Sequence, residues 1–361
     1  MKRCHYIGLD AHCQFTEMAV VNARGEVVQR GRCPTTIPAL TELLGTAPRP
    51  CAVALEEGPL ADWLWRHLAP RVEQFTVCDP RRNGLIAKDS DKDDPIDAAK
   101  LAHLLCGGYL KAVHHPAAQG RAVFKQWVLL YHDRVRQRVK EANRVMAYLR
   151  RYGIFVRERA FRDPEDRAGL AGRLPPEPLA AAHLAVLWQS YDLAAAQVGQ
   201  LRQRLTREAA KEDVIRRWRE LPGIAWVRAA SLWVYLDTPW RFHSKAALWK
   251  YLGIGLERRH SGTGPARVQV VRRTNRVLKG VILGAARRAI GQGTNPFAAQ
   301  HQRWLKAGVP PGPARRNVAR SLAATLWGMW KSGSAYHPEW VGAVPAATAA
   351  RGEPSWAGPG V

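Results

Sequence analysis

The segment Lys92-Asp93-Asp94-Pro95-Ile96-Asp97-Ala98-Ala99-Lys100-Leu101-Ala102 holds the residues with the clearest chemical potential. Pro95 suits the first turn of a helix, where its missing N–H costs nothing. Ala98, Leu101, Ala102 and Leu105 then recur at helical spacing. Asp94 and Asp97 are three apart, so both carboxylates leave one face at the helix N-terminus. The helix dipole tolerates negative charge there, and capping explains either aspartate alone. Asp89, Asp91, Asp93, Asp94 and Asp97 together exceed what a cap requires. Magnesium takes one or two carboxylates from protein and fills its shell with water or phosphate. A metal site and a solvated cap are the two readings of this stretch taken alone.

The elements upstream decide between them. Tyr6–Asp10 reads as a strand ending in a carboxylate, and Glu17–Val21 and Glu26–Arg30 as two more around the turn Asn22-Ala23-Arg24-Gly25. Ile37 to Leu44 has helical spacing. Ala52–Gly58 is an apolar strand closing on Glu56 and Glu57, Leu60–Leu68 a helix, and Phe75–Cys78 a fifth strand. The resulting order, β-β-β-α-β-α-β-α, is that of an α/β RNase H-like nuclease fold. Such folds carry acids on the first strand, at the end of the fourth and on a late helix. Asp10, then Glu56 or Glu57, then Asp94 and Asp97 occupy those places. Carboxylates so gathered repel one another unless cations lie among them, which favours the metal reading.

Charge divides the chain. Residues 1–110 carry 13 Lys+Arg against 14 Asp+Glu, so the entire net excess of +25 falls in residues 111–361. That asymmetry suits a polyphosphate partner held by the later segments and an acidic site in the first. A length of 361 residues allows two or three domains. The six cysteines all lie within the first 106 residues and form no C-x-x-C pair, which points to reduced thiols. No apolar run is long enough to span a bilayer and no leader-like segment follows Met1, so a cytoplasmic protein without a membrane partner is expected. His103, His114 and His115 read as loop or helix-surface histidines.

Arg121 to Arg151 forms one long amphipathic helix and Leu179 to about Arg219 a second, with an Arg-, Asp- and Pro-rich break at 161–178. Helices of this length argue for an antiparallel pair or a dimeric coiled coil. The Pro-Gly turn at Leu221-Pro222-Gly223-Ile224 reads equally as half of a helix-hairpin-helix or as a plain interhelical turn. Ser244 is a plausible N-cap and Gly253 a terminator. Glu257 to Gly264 reads as a flexible loop, with Ser261 beside a glycine; by spacing alone Ser261 is a turn residue, since no general base accompanies it. Arg258, Arg259, Arg267, Arg272, Arg273, Arg276 and Lys279 surround this loop and are the candidate nucleic-acid contacts. Gly333 closes the last helix, and the Gly-, Pro- and Ala-rich 331–361 reads as a disordered tail.

Ile7-Gly8-Leu9-Asp10, Ala54-Leu55-Glu56 and Lys92-Asp93-Asp94-Pro95-Ile96-Asp97-Ala98 resemble the DEDD insertion-sequence transposases, whose first domain is RuvC-like. Leu221-Pro222-Gly223-Ile224, Arg241-Phe242, Tyr251-Leu252-Gly253 and Ser261-Gly262 resemble the C-terminal transposase domain of the same family. The resemblance implies a RuvC-like domain over 1–110, a helical coiled-coil region over 111–220 and a mainly α-helical serine-bearing domain over 221–330. It further implies Mg2+ held by Asp10, Glu56, Asp94 and Asp97, and Ser261 as a nucleophile forming a phosphoserine link to DNA. Donor and target DNA, a structured non-coding bridge RNA and a homo-oligomer (dimer or tetramer) are the implied partners. The short Glu57-Gly58 spacing leaves Glu57 as a rival ligand. Thr274-Asn275 and Leu278-Lys279 stand where the family has Gly-Asn and Leu-Arg. A metal-only junction endonuclease and a non-catalytic nucleic-acid-binding protein are the alternatives.

Overall fold

The computed structural model describes residues 4–80, 94–115, 119–259, 267–272 and 274–341. The chain divides into two compact units, residues 1–117 and 118–361.

In the first unit, β1 (His5–Ala11), β2 (Phe15–Val21), β3 (Val27–Pro34), β4 (Cys51–Glu56) and β5 (Gln74–Cys78) form one sheet in the order β3-β2-β1-β4-β5. β1–β2 and β2–β3 pair antiparallel, β1–β4 and β4–β5 parallel. Strand alternation divides the side chains between two layers. Ile7, Leu9, Met18, Val20, Val53 and Leu55 pack with Leu40 and Leu44 of α1 (Ile37–Gly45) and Leu64 and Leu68 of α2 (Ala61–Leu68). On the other face the residues are small. Ala19 packs on Ala98 and Ala99, and Ala54 on Leu101, all from α3 (Asp94–Cys106). At Gly8 a Cβ would lie 2.0 Å from the Ala98 carbonyl oxygen, so only glycine lets α3 settle so close to β1.

Among its described residues the second unit is helical apart from one hairpin. α4 (Gln119–Arg150) and α6 (Pro178–Ala209) run antiparallel, tied near their tip by the Tyr148 hydroxyl donating to the Ala180 carbonyl at 2.9 Å. Of the two arrangements the periodicity allows, this is the pair folded back within one chain. Phe161, Leu170, Leu184 and Tyr191 give the tip its own core, and Val128 and Leu205 join the other end to the C-terminal core. The break at 161–178 contains a short helix, α5 (Pro164–Ala171), capped by Asp163, whose carboxylate accepts from Glu165 N at 2.9 Å.

The helix expected to reach Arg219 stops at Ala209. Glu212 is extended, and α7 (Asp213–Trp218) starts in a new direction that buries Ile215 and Trp218. α8 (Trp226–Leu236), α9 (Lys245–Tyr251), α10 (Arg276–Gln292), α11 (Pro296–Lys306) and α12 (Pro311–Ser332) complete the core around Leu232, Ile282, Phe297 and Leu322. Gly223, at φ +81°, seats the Pro-Gly turn on α10, where a Cβ would meet the Ala285 carbonyl at 2.2 Å. Ser244 caps α9 by accepting from Ala247 N at 3.2 Å.

The expected loop at 257–264 begins as a strand instead. β6 (Leu256–Arg259) pairs antiparallel with β7 (Arg267–Val270). Gly333 does end α12, at φ +71°. The segment beyond it is packed as far as Val341: Tyr336 stacks on Phe297 at 6.3 Å and its N–H donates to Glu220 at 2.8 Å. Among the described residues no helix is long and apolar enough to cross a membrane.

Candidate active site

The strand register places one row of side chains across the end of the sheet. Arg32 of β3 pairs with Glu17 of β2, and Glu17 with Asp10 of β1. Gly8 pairs with Ala54, so two residues on Asp10 lies beside Glu56, which in turn pairs with Cys78. Asp10 and Glu56 thus stand at the carboxyl ends of adjacent parallel strands, the usual place for ligands in open α/β sheets. Both lie two residues on from the small residues that face α3, and so on the same side of the sheet.

α3 runs antiparallel to β1. Its C-terminal part reaches the β2–β3 turn, where His103 Nε2 lies 2.9 Å from the Gly25 carbonyl and Cys106 Sγ 3.7 Å from that of Asn22. That turn adjoins the beginning of β1, since Tyr6 pairs with Val21. The N-terminus of α3, with Asp94 and Asp97, therefore lies at the end of the sheet that carries Asp10 and Glu56. Asp97 is half-buried, with Lys100 Nζ 3.9 Å from its Oδ1. The Asp94 side chain, and Asp89, Asp91 and Asp93, lie outside the described residues.

Glu57 is turned the other way. Its Oε2 lies 3.0 Å from His115 Nε2, and His115 stacks on Trp65 of α2 at 5.6 Å and approaches Asp62 at 3.6 Å. A residue tied to the α2 layer is poorly placed to share an ion with Asp10, whereas Glu56 shares its face and its end of the sheet. Asp10 is engaged by His12, whose Nε2 lies 3.1 Å from Oδ2. His103 hydrogen-bonds from α3, whereas His115, expected as a loop or surface histidine, has its side chain largely buried against Trp65.

Glu17 is the acid that motif reading overlooks. It is buried in the row beside Asp10, with Arg32 Nε 3.5 Å from its Oε1. The signal was an ionisable residue two positions before Ala19, directly ahead of the apolar run Met18–Val21, on the face that alternation assigns to Asp10.

Oxygen-only donors of this kind suit a hard divalent cation such as Mg2+. Among the described residues no three acids, histidines or cysteines stand together as a ready coordination group. The row and the N-terminus of α3 bring Asp10, Glu56 and Asp97 to one side and one end, and a cation drawing in carboxylates from there is compatible with that placement.

Ser261 and Arg273 lie outside the described residues; Ser261 belongs to the connection between β6 and β7. Arg259 and Arg267 face each other in the backbone register of that hairpin. Arg258, Arg272 and Arg276 are exposed and Lys279 is half-buried beside Gly253. Asn275 caps α10, accepting from Val277 N at 3.0 Å and Leu278 N at 3.2 Å, which gives this position a structural task of its own. In the same unit His132 Nε2 lies 2.9 Å from the Ser231 hydroxyl. Burial, followed by the nearby Arg136 charge, holds the His132 pKa below its ordinary value.

Residues 7–154 match the transposase family designated DEDD of the IS110 type, and residues 216–302 match the transposase family described as IS116/IS110/IS902. A curated relative is the transposase for insertion sequence element IS1328 from Yersinia enterocolitica, 27% identical over 199 residues. That similarity covers 54% of this chain and 57% of the relative, so it spans little more than half of either protein. The two family matches together take in well over half of the chain, including the carboxylate row, the N-terminus of α3 and the basic hairpin. The chain belongs to the IS110 family of DEDD transposases.

Proposed function

We propose that the protein is a DNA transposase that cleaves and rejoins strands through a serine-linked intermediate, working in the cytoplasm as a homo-oligomer directed by a bridge RNA. The observation that carries this reading is the placement of Asp10 and Glu56 side by side, with the Asp97-bearing end of α3 brought to the same end of the sheet. Strand order and the mixed pairing support the RNase H-like, RuvC-like interpretation of the first unit.

Asp10, Glu56, Asp94 and Asp97 would hold Mg2+, which supplies positive charge to the phosphoryl oxygens and to the departing oxygen. Ser261 Oγ attacks the scissile phosphorus; the Oγ–P bond forms as the bond to one bridging oxygen of DNA breaks, and that strand end is released as a hydroxyl. The phosphodiester energy stays in the phosphoserine link, so a second strand end can reverse the step without an energy-rich cofactor. Arg258, Arg259, Arg267, Arg272, Arg273, Arg276 and Lys279 surround the serine's hairpin and suit the phosphate backbone. The positive excess confined to residues 111–361 suits a second polyanion, the guide RNA.

The test uses the full chain with Mg2+, its flanking non-coding RNA and labelled donor DNA. Ser261→Ala is expected to abolish the covalent protein–DNA adduct seen after denaturation. Asp97→Asn is expected to lower both cleavage and adduct by at least about 100-fold, on the scale of a lost charge-stabilising group. Cleavage without adduct in Ser261→Ala would instead identify a metal-only endonuclease. Full activity in Asp97→Asn would remove the carboxylate site.

A further inference from the structure

A second concave site lies in the helical unit, in a cleft of about 670 Å³ between α4, α6, α10 and the start of α8. Its floor is apolar and aromatic: Tyr131, Val135, Trp226, Val277 and Val281 line it. Arg219 covers one face of the Trp226 ring at 3.8 Å and lines a neighbouring hollow at the Pro-Gly turn, which shares Ala225 and Arg228 with the cleft. The rim is cationic. Arg136, Arg202 and Arg276 are exposed there, contributed by three different helices. Among the described residues no carboxylate lines the cleft; Asp133, which pairs with Arg136 at 3.2 Å, stays outside it.

His132 adds a polar group to the lining. The Ser231 hydroxyl donates its proton to the Val227 carbonyl at 2.7 Å. It therefore accepts from His132 Nε2–H, and the other ring nitrogen of the neutral imidazole keeps a lone pair.

An apolar, aromatic floor under a ring of arginines matches a flat heterocycle attached to a phosphate. An isolated inorganic anion has no use for the floor, and an apolar peptide none for the rim. A stacked base inside a duplex cannot enter a hollow of this kind, whereas an unpaired one can turn out of the stack and seat its ring on aromatic side chains. From this geometry we infer that the cleft receives a single unpaired nucleotide, its base between Tyr131 and Trp226 and its phosphates at Arg136, Arg202 and Arg276. The inference rests on the nucleic-acid reading above and adds a site distinct from the carboxylate row, sharing only Arg276 with the basic residues assigned to the serine hairpin. DNA and RNA share this chemistry, and the polymer that supplies the nucleotide is read from the test.

Gly280 provides a clean probe. It lines the cleft, is exposed on α10, and a Cβ there would meet nothing within 4 Å. Gly280→Leu puts a side chain into the hollow while replacing a poor helix former by a good one. Labelled 30-base-pair DNA and RNA duplexes are titrated onto the full-length protein in three forms: fully paired, with one bulged adenosine, and with the same bulge lacking its base. In at least one polymer the bulged adenosine should bind about tenfold tighter than the paired form, the scale of one stacked base. The baseless bulge should bind as the paired form does. Gly280→Leu should erase the preference, keep the affinity for paired duplex and keep the thermal unfolding midpoint. Arg202→Ala should weaken the bulged form more than the paired one.

Equal binding of paired and bulged forms in both polymers would overturn the inference, as would a baseless bulge bound as tightly as adenosine, or a preference that survives in folded Gly280→Leu. Should Gly280→Leu unfold early, Arg202→Ala and the baseless bulge still decide. Absence of binding to every duplex would overturn the nucleic-acid reading as well, so the two failures are distinguishable.

Discussion

Gly8 has no side chain because α3 occupies the space one would fill. A methyl group there collides with backbone, the Ala98 carbonyl and the Ala102 amide, and backbone of a helix cannot turn aside as a flexible side chain does. Gly8→Ala should cost about 3 kcal/mol of unfolding free energy by urea titration, at the upper end for overpacking. Because Gly8 sets the distance between Asp10 and α3, the same variant should weaken the Mg2+ binding proposed for that site, measured by calorimetry. His132 carries a pH prediction. Its folded pKa lies below the unfolded value of about 6.5, so below that pH the unfolded chain binds the extra proton first. Its stabilising contribution is complete above about pH 6.5 and declines as pH falls towards the lowered folded value. Urea midpoints between pH 5 and 7.5 should show this decline, and His132→Gln should reduce it. Motif position alone left Glu56 and Glu57 as rivals. The choice depends on which layer each residue faces, which became visible only with His115, nearly sixty positions downstream, packed under Glu57.

At the scale of elements, legibility followed how local the cause was. Five strands and three helices of the first unit could be read from alternation and turn residues, because each strand has one apolar layer to satisfy. The cap at Ser244 is one side-chain hydrogen bond and the stop at Gly333 one left-handed glycine, both local devices. The end of α6 was not legible. Ala209-Ala210-Lys211-Glu212 contains good helix formers and no breaker, and the chain turns there because Ile215 and Trp218 have a core to enter. Glu257–Arg259 likewise becomes strand only because 267–270 returns to pair with it. Between α4 and α6 the tie at Tyr148 is a single buried hydroxyl on the Ala180 carbonyl. Tyr148→Phe keeps the ring stacked on His183 at 4.2 Å and loses the bond. About 1 kcal/mol of stability should go with it, read by chemical denaturation.

For the molecule as a whole, the charge distribution makes the dominant statement. A near-neutral first unit and a strongly basic remainder mean that long-range attraction for a polyanion arises from the second unit, while the first offers acids that need a cation to approach phosphate at all. Binding of the full chain to duplex DNA should therefore weaken steeply between about 50 and 200 mM salt, by on the order of 10³-fold if six or more phosphates are contacted. Titrations at several salt concentrations give the slope directly, and a flat response would rule out this electrostatic account.

The two legs of the α4/α6 hairpin are 32 residues each, and cores sit at both ends with a two-helix shaft between. At 1.5 Å per residue each leg measures about 48 Å, roughly fourteen steps along B-form DNA. Its reach is set by residue count alone: adding seven residues to each leg would move the tip outward by about 10 Å, near three such steps, while leaving the packing at both ends as it is.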